Sequence, residues 1–120
     1  NTDDLIEFLN KFMSISSLDC LICDDDNSPI LSVMNSDQIC KPEFQKLVHM
    51  WVEKLQIKSI VRKRDGKTFI DIIDEIIDNI KIYLSQHEAR HGQHPQHKSY
   101  SESIVFLKKF REKCSQLGFD

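Results

Sequence analysis

The chain is 120 residues long, 40% apolar and 29% charged, with three glycines, three prolines and a formal net charge of −3. That is enough apolar material for one compact core, so a single domain over residues 1–120 is expected, and the excess of acid excludes a globally basic surface for nucleic acid. No apolar run approaches the roughly 18 residues a membrane span needs, and the opening Asn1-Thr-Asp-Asp carries no secretory signal, which fits a cytosolic fragment or a mature secreted chain.

Thr2, Asp3 and Asp4 supply oxygen caps and negative charge at a helix start, and Leu5, Leu9, Phe12 and Met13 form an apolar stripe through residue 14. From Ile15 to Lys41 the helical period fails. Serines and an acidic turn, Asp24 to Pro29, separate two short apolar pieces, Leu18 to Cys23 and Ile30 to Met34, either of which suits a short strand. Pro42 is placed for a first helical turn, and Phe44, Leu47, Val48, Trp51 and Leu55 predict a second helix with Trp51 in the core. The stretch Ile57 to Gly66 is basic. Lys58, Arg62, Lys63, Arg64 and Lys67 read as one patch of a balanced surface, and Arg64-Asp65-Gly66 signals a turn ahead of a Thr68 cap. The same Asp-Gly also suits a hairpin pairing 59–62 with 67–70.

The strongest periodic signal follows. Phe69, Ile72, Ile73, Ile76, Ile77, Ile80 and Leu84 recur at steps of three and four, with Asp71, Asp74, Glu75, Asp78 and Lys81 mostly on the other side. After Leu84 the helix is expected to fray into a polar linker, Gln86 to His97, broken by Gly92 and Pro95. Ser99 or Ser101 then caps a fourth helix, in which Ile104, Leu107, Phe110, Cys114 and Leu117 share one face.

Connections of about 26, ten and 13 residues join the four helices in turn. At up to roughly 3.3 Å per residue, the first and last can run the full length of helices about 20 to 30 Å long. The expected fold class is therefore all-α: a four-helix bundle in up-up-down-down order, with a long first crossover and room for one short strand pair in the crossovers.

Cys20, Cys23, Cys40 and Cys114 form an even set such as two disulfides of a secreted domain require; free thiols in an intracellular domain, or a metal or redox role, are the alternatives. No Asn-x-Ser/Thr acceptor occurs. Cys20, Cys23, Cys40 and His49 have zinc-ligand chemistry at irregular spacing, and His87, His91, His94 and His97 form the densest imidazole run, interrupted by Gly92 and Pro95. A resident metal or cofactor is expected at neither. A phosphate-cradling Gly loop, a Ser-His-Asp arrangement and a recognisable carboxylate pair are all missing from the sequence, so an enzyme is not expected.

The amphipathic opening Leu5 to Met13, the cysteine-bearing first crossover with Ile30-Leu-Ser-Val-Met34, Cys40 just ahead of the second helix, and the closing Ser103-Ile-Val-Phe-Leu-Lys-Lys-Phe-Arg-Glu-Lys-Cys114 together resemble a short-chain helical cytokine, of the group containing interleukin-2, interleukin-4, interleukin-15 and interleukin-21. The closing run, aliphatic-Phe-Leu-polar-polar-aromatic ahead of a cysteine, is the most similar part. The resemblance implies a secreted, extracellular ligand whose helical faces engage cell-surface receptor chains, one face built by the first and third helices and another by the first and fourth. Asp4, Glu7, Lys11, Asp71, Asp74 and Asp78 would serve the former, and Lys108 and Arg111 the latter. Members of that group commonly carry cysteines in the second crossover or third helix, and Leu84 to Tyr100 has none, so their disulfide pattern does not transfer. Cys40 can bridge to Cys20 or Cys23, leaving the other for Cys114 or unpaired. The alternative is an intracellular, all-helical interaction domain of a larger protein. Neither reading involves nucleic acid or membrane insertion, and neither fixes the oligomeric state.

Overall fold

The computed structural model describes residues 4, 7, 29–54, 61–62 and 65–120, which are mostly helical. Asp4 and Glu7 are helical and exposed; the rest of the expected opening helix, with Lys11, and the pair Cys20 and Cys23 lie outside the described residues.

The first surprise is local. Pro29–Met34 is a short helix, α1, where a strand was an option. Pro29 occupies its first position, where a missing N–H costs nothing. A strand would bury alternate residues, but within Ile30–Met34 the residues Ile30, Leu31, Val33 and Met34 are all buried and Ser32 faces out. Asn35 closes the helix through its backbone N–H and its side-chain amide, which both donate to the Leu31 carbonyl at 2.9 and 3.1 Å. A 3-10 turn, Asp37–Cys40, follows, with Ser36 Oγ accepting from the Gln38 N–H. Helix α2, Pro42–Lys54, starts at proline as expected and buries Phe44, Leu47, Val48, Trp51 and Val52.

No strand occurs among the described residues, yet the hairpin signal is partly realised. Val61 and Thr68 form an isolated antiparallel bridge, the Arg62 N–H donates to the Lys67 carbonyl at 2.9 Å, and Gly66 takes φ 72° in the turn. Pairing stops there because Thr68 caps α3, Phe69–His91, in a reciprocal capping box: its Oγ accepts from the Asp71 N–H, and Asp71 accepts from the Thr68 N–H.

Two boundaries depart from the sequence expectation. Helix α3 does not fray after Leu84 but runs on to His91, because Gln86, Glu88, Ala89 and Arg90 are adequate helix formers and only Gly92, at φ 79°, ends it. Helix α4, His97–Gln116, begins ahead of both candidate serine caps and has no side-chain cap. The linker thereby shrinks from about 13 residues to the five of Gly92 to Gln96. So short a connection makes α3 and α4 antiparallel neighbours, not the parallel last pair that an up-up-down-down bundle requires.

The seam is closed at both ends. Near the turn, His97 Nδ1 lies 2.5 Å from Glu88 Oε1. At the far end α4 finishes in a Schellman motif, with Gly118 at φ 96° and the Phe119 N–H on the Cys114 carbonyl. Phe119 then packs on Phe69 at 5.1 Å between ring centroids, and the Ile70 N–H donates to the Asp120 carbonyl. Across the core, Trp51, Phe69, Ile73, Leu107 and Phe110 are all fully buried.

Trp51 carries one uncompensated feature: its indole Nε1 is buried without a hydrogen-bond partner among the described residues. An orphaned donor costs about 1–3 kcal/mol. Trp51→Phe, which keeps an aromatic ring and removes the orphan, is expected to lower stability by less than about 1.5 kcal/mol, against about 3–5 kcal/mol for Trp51→Ala. Urea denaturation of the two variants checks the difference.

Candidate functional site

The exposed side of the α3–α4 pair is where the sequence places most of its binding residues. The acidic stripe of α3 comes out differently from its appearance in the sequence. Asp71 is tied into the Thr68 capping box. Arg111 Nε, from α4, donates to Asp74 Oδ1 at 2.6 Å, and this hydrogen bond holds the guanidinium above its ordinary pKa.

Glu75 is the most heavily engaged carboxylate. It accepts from Lys67 Nζ at 3.0 Å and from Arg62 at 2.9 Å, and those bonds, Lys67's first, hold it below the usual carboxylate range against the opposing effect of burial. Arg62 itself is only 5% exposed and also pairs with Asp65 at 2.6 Å, the bond that does most to raise its pKa. Three of the four stripe carboxylates therefore work inside the fold. Asp78 is exposed and has no ion-pair partner among the described residues.

Between the helices runs an open groove of about 550 Å³. Asp74, Asp78 and Lys81 line it from α3, Lys108, Lys109, Arg111 and Glu112 from α4, and Ile77 from its buried position. Four expected site residues, Asp74, Asp78, Lys108 and Arg111, thus meet on one surface instead of serving two separate faces. Lys81 and Lys109 join them. They were visible as helix-face charges, but their convergence depends on the antiparallel pairing, which local sequence does not encode.

A second groove, of about 440 Å³, lies on the other flank of α4, where Lys109 and the exposed Val105 meet Cys40 and Gln45. Cys40 is half-buried, and its thiol lies 3.4 Å from the Asp37 carbonyl. Cys114 is fully buried in the last turns of α4, and no disulfide joins it to Cys40.

The imidazole run gathers at the α3–α4 turn. The His87 ring lies 4.3 Å from His94 and 5.1 Å from His91, centroid to centroid, beside Tyr83 and Tyr100. The Gln96 N–H donates to His94 Nδ1, so the neutral ring carries its proton on Nε2, which faces the Tyr83 hydroxyl at 3.1 Å. Among the described residues no three His, Cys, Asp or Glu side chains converge to hold a metal ion. No helix among them is long and apolar enough to cross a membrane.

His49 sits on α2 with its ring edge-on to Phe106 and Phe110, 5.4 Å from each, next to an ion pair between Lys113 and Glu53. No family model, characterised protein or solved structure matches the chain.

Burial first, and then the charge of Lys113, push His49 below its ordinary pKa, with Glu53 acting the other way. The unfolded chain takes up this proton near pH 6.5, and the native state only at lower pH. The stability tied to neutral His49 is therefore complete above about pH 6.5 and declines as pH falls toward the lowered native value. Urea midpoints measured from pH 7 down to about 5.5 are expected to fall, and to fall less for His49→Gln.

Proposed function

We propose that the chain is a secreted helical ligand of cytokine type, binding cell-surface receptor chains through the exposed face of α3 and α4. The observation that carries this is the convergence of Asp74, Asp78, Lys108 and Arg111 around one open groove with Ile77 beneath. A charged rim over an apolar centre is the anatomy of protein interfaces, and affinity in such interfaces rests on a few contacts. A single partner chain laid along the groove meets both helices at once. The opening segment, with Asp4, Glu7 and Lys11, then supplies the fourth helix of a bundle and a second binding face, and two disulfides drawn from Cys20, Cys23, Cys40 and Cys114 brace it.

The antiparallel α3–α4 pair and the thiol of Cys40 favour a second reading, an intracellular helical interaction domain of a larger protein. Both readings describe binding, and they differ in compartment.

Fluorescently labelled chain from an oxidising expression host is expected to bind the surface of at least one of a panel of cultured cell lines. That binding is expected to be saturable and sensitive to surface proteolysis, and excess unlabelled chain should compete it away. Purely non-saturable binding across the panel overturns the ligand reading. Mass spectrometry of the same material after alkylation is expected to find two disulfides; four alkylated thiols move the assignment to the intracellular domain.

A further inference from the structure

We infer that the α3–α4 groove takes an acidic amphipathic helix of a protein partner, an assignment that rests on the binding-face reading above and adds its chemistry. The sequence points the other way: an acidic stripe on α3 invites a basic partner. In the groove, pairing of that acid leaves a slight positive excess. Asp71 caps its helix, Asp74 is neutralised by Arg111, and Glu75 is held by Arg62 and Lys67. What the groove still offers is Lys81, Lys108 and Lys109, all exposed and none with an ion-pair partner among the described residues. Against them stand Asp78 and Glu112, the latter 71% exposed and in only a 3.8 Å contact with Arg111.

Charge complementarity thus selects an acidic occupant. The two carboxylates between the lysines, and the chain's net charge of −3, disfavour a uniformly anionic polymer such as a sulfated polysaccharide or nucleic acid. A peptide can place apolar side chains over Ile77 and acids over the lysines, which such a polymer cannot. A groove between two antiparallel helices also has the shape that a third helix fills, ridge into groove.

The test uses fluorescence anisotropy with two synthetic amphipathic helical peptides that share one leucine face, one glutamate-rich and one lysine-rich on the other, with heparin as competitor. The acidic peptide is expected to bind at least about tenfold more tightly than the basic one at about 50 mM salt, and the preference to shrink at about 300 mM. Lys81→Glu with Lys108→Glu and Lys109→Glu should abolish the preference, and Asp78→Asn should strengthen it. Circular dichroism melting curves establish that each variant is folded.

Three results overturn the inference: no binding of the acidic peptide or no preference for it, an unchanged preference in the folded triple variant, or tighter binding of heparin than of the acidic peptide. Saturable cell-surface binding without an acidic preference removes this inference and leaves the ligand reading standing. An acidic preference without cell-surface binding does the reverse.

Discussion

The antiparallel seam between α3 and α4 is the contact on which the rest of the molecule depends. It places the α3 stripe and the inner face of α4 in one core with α1 and α2, and it sets which outward residues face one another. Magnitudes identify what holds it. Full burial of a Leu, Ile or Phe is worth about 1.5–3 kcal/mol, whereas a solvent-exposed ion pair is worth about 0–1 kcal/mol. Asp74–Arg111 and Glu88–His97 are both substantially exposed, so they fix register along a seam whose stability is apolar.

Much of the helical content was legible because its signals are local. The isoleucine period of α3, the Thr68 cap and the proline start of α2 each act within a turn or two of chain. The fate of Ile30 to Met34 was ambiguous for an equally local reason: one serine among apolar residues fits a strand or a helix that is buried nearly all round. The course of α3 beyond Leu84 turned on giving polarity the weight that belongs to glycine. Gln86 to His91 is polar, but polarity does not end a helix; an achiral residue free to take positive φ does.

The functional surface was less legible, because charge in a sequence is a sum and charge in a fold is what remains after pairing. Asp74 and Arg111 are 37 positions apart, and Glu75 meets Arg62 across 13. No periodicity argument links them. Once paired, the acidic stripe leaves a groove in which Lys81, Lys108 and Lys109 stand beside Asp78 and Glu112, a balance the stripe alone does not show. Arg62 shows the same principle at the other edge: it reads as part of a basic loop and ends as a buried clamp joining the turn to α3.

The meeting of Phe69 and Ile70 with Phe119 and Asp120 has a consequence for motion. Helix ends ordinarily fray because their terminal amides and carbonyls lack partners. Here the first turn of α3 and the residues just past α4 supply partners to each other, so the hairpin is topologically a ring: a short turn at one end, a suture at the other. Opening either helix end at the suture breaks the same hydrogen bond and ring contact. In hydrogen exchange the Ile70 amide should belong to the same cooperative unit as the last turn of α4, although 50 residues of chain separate it from Asp120.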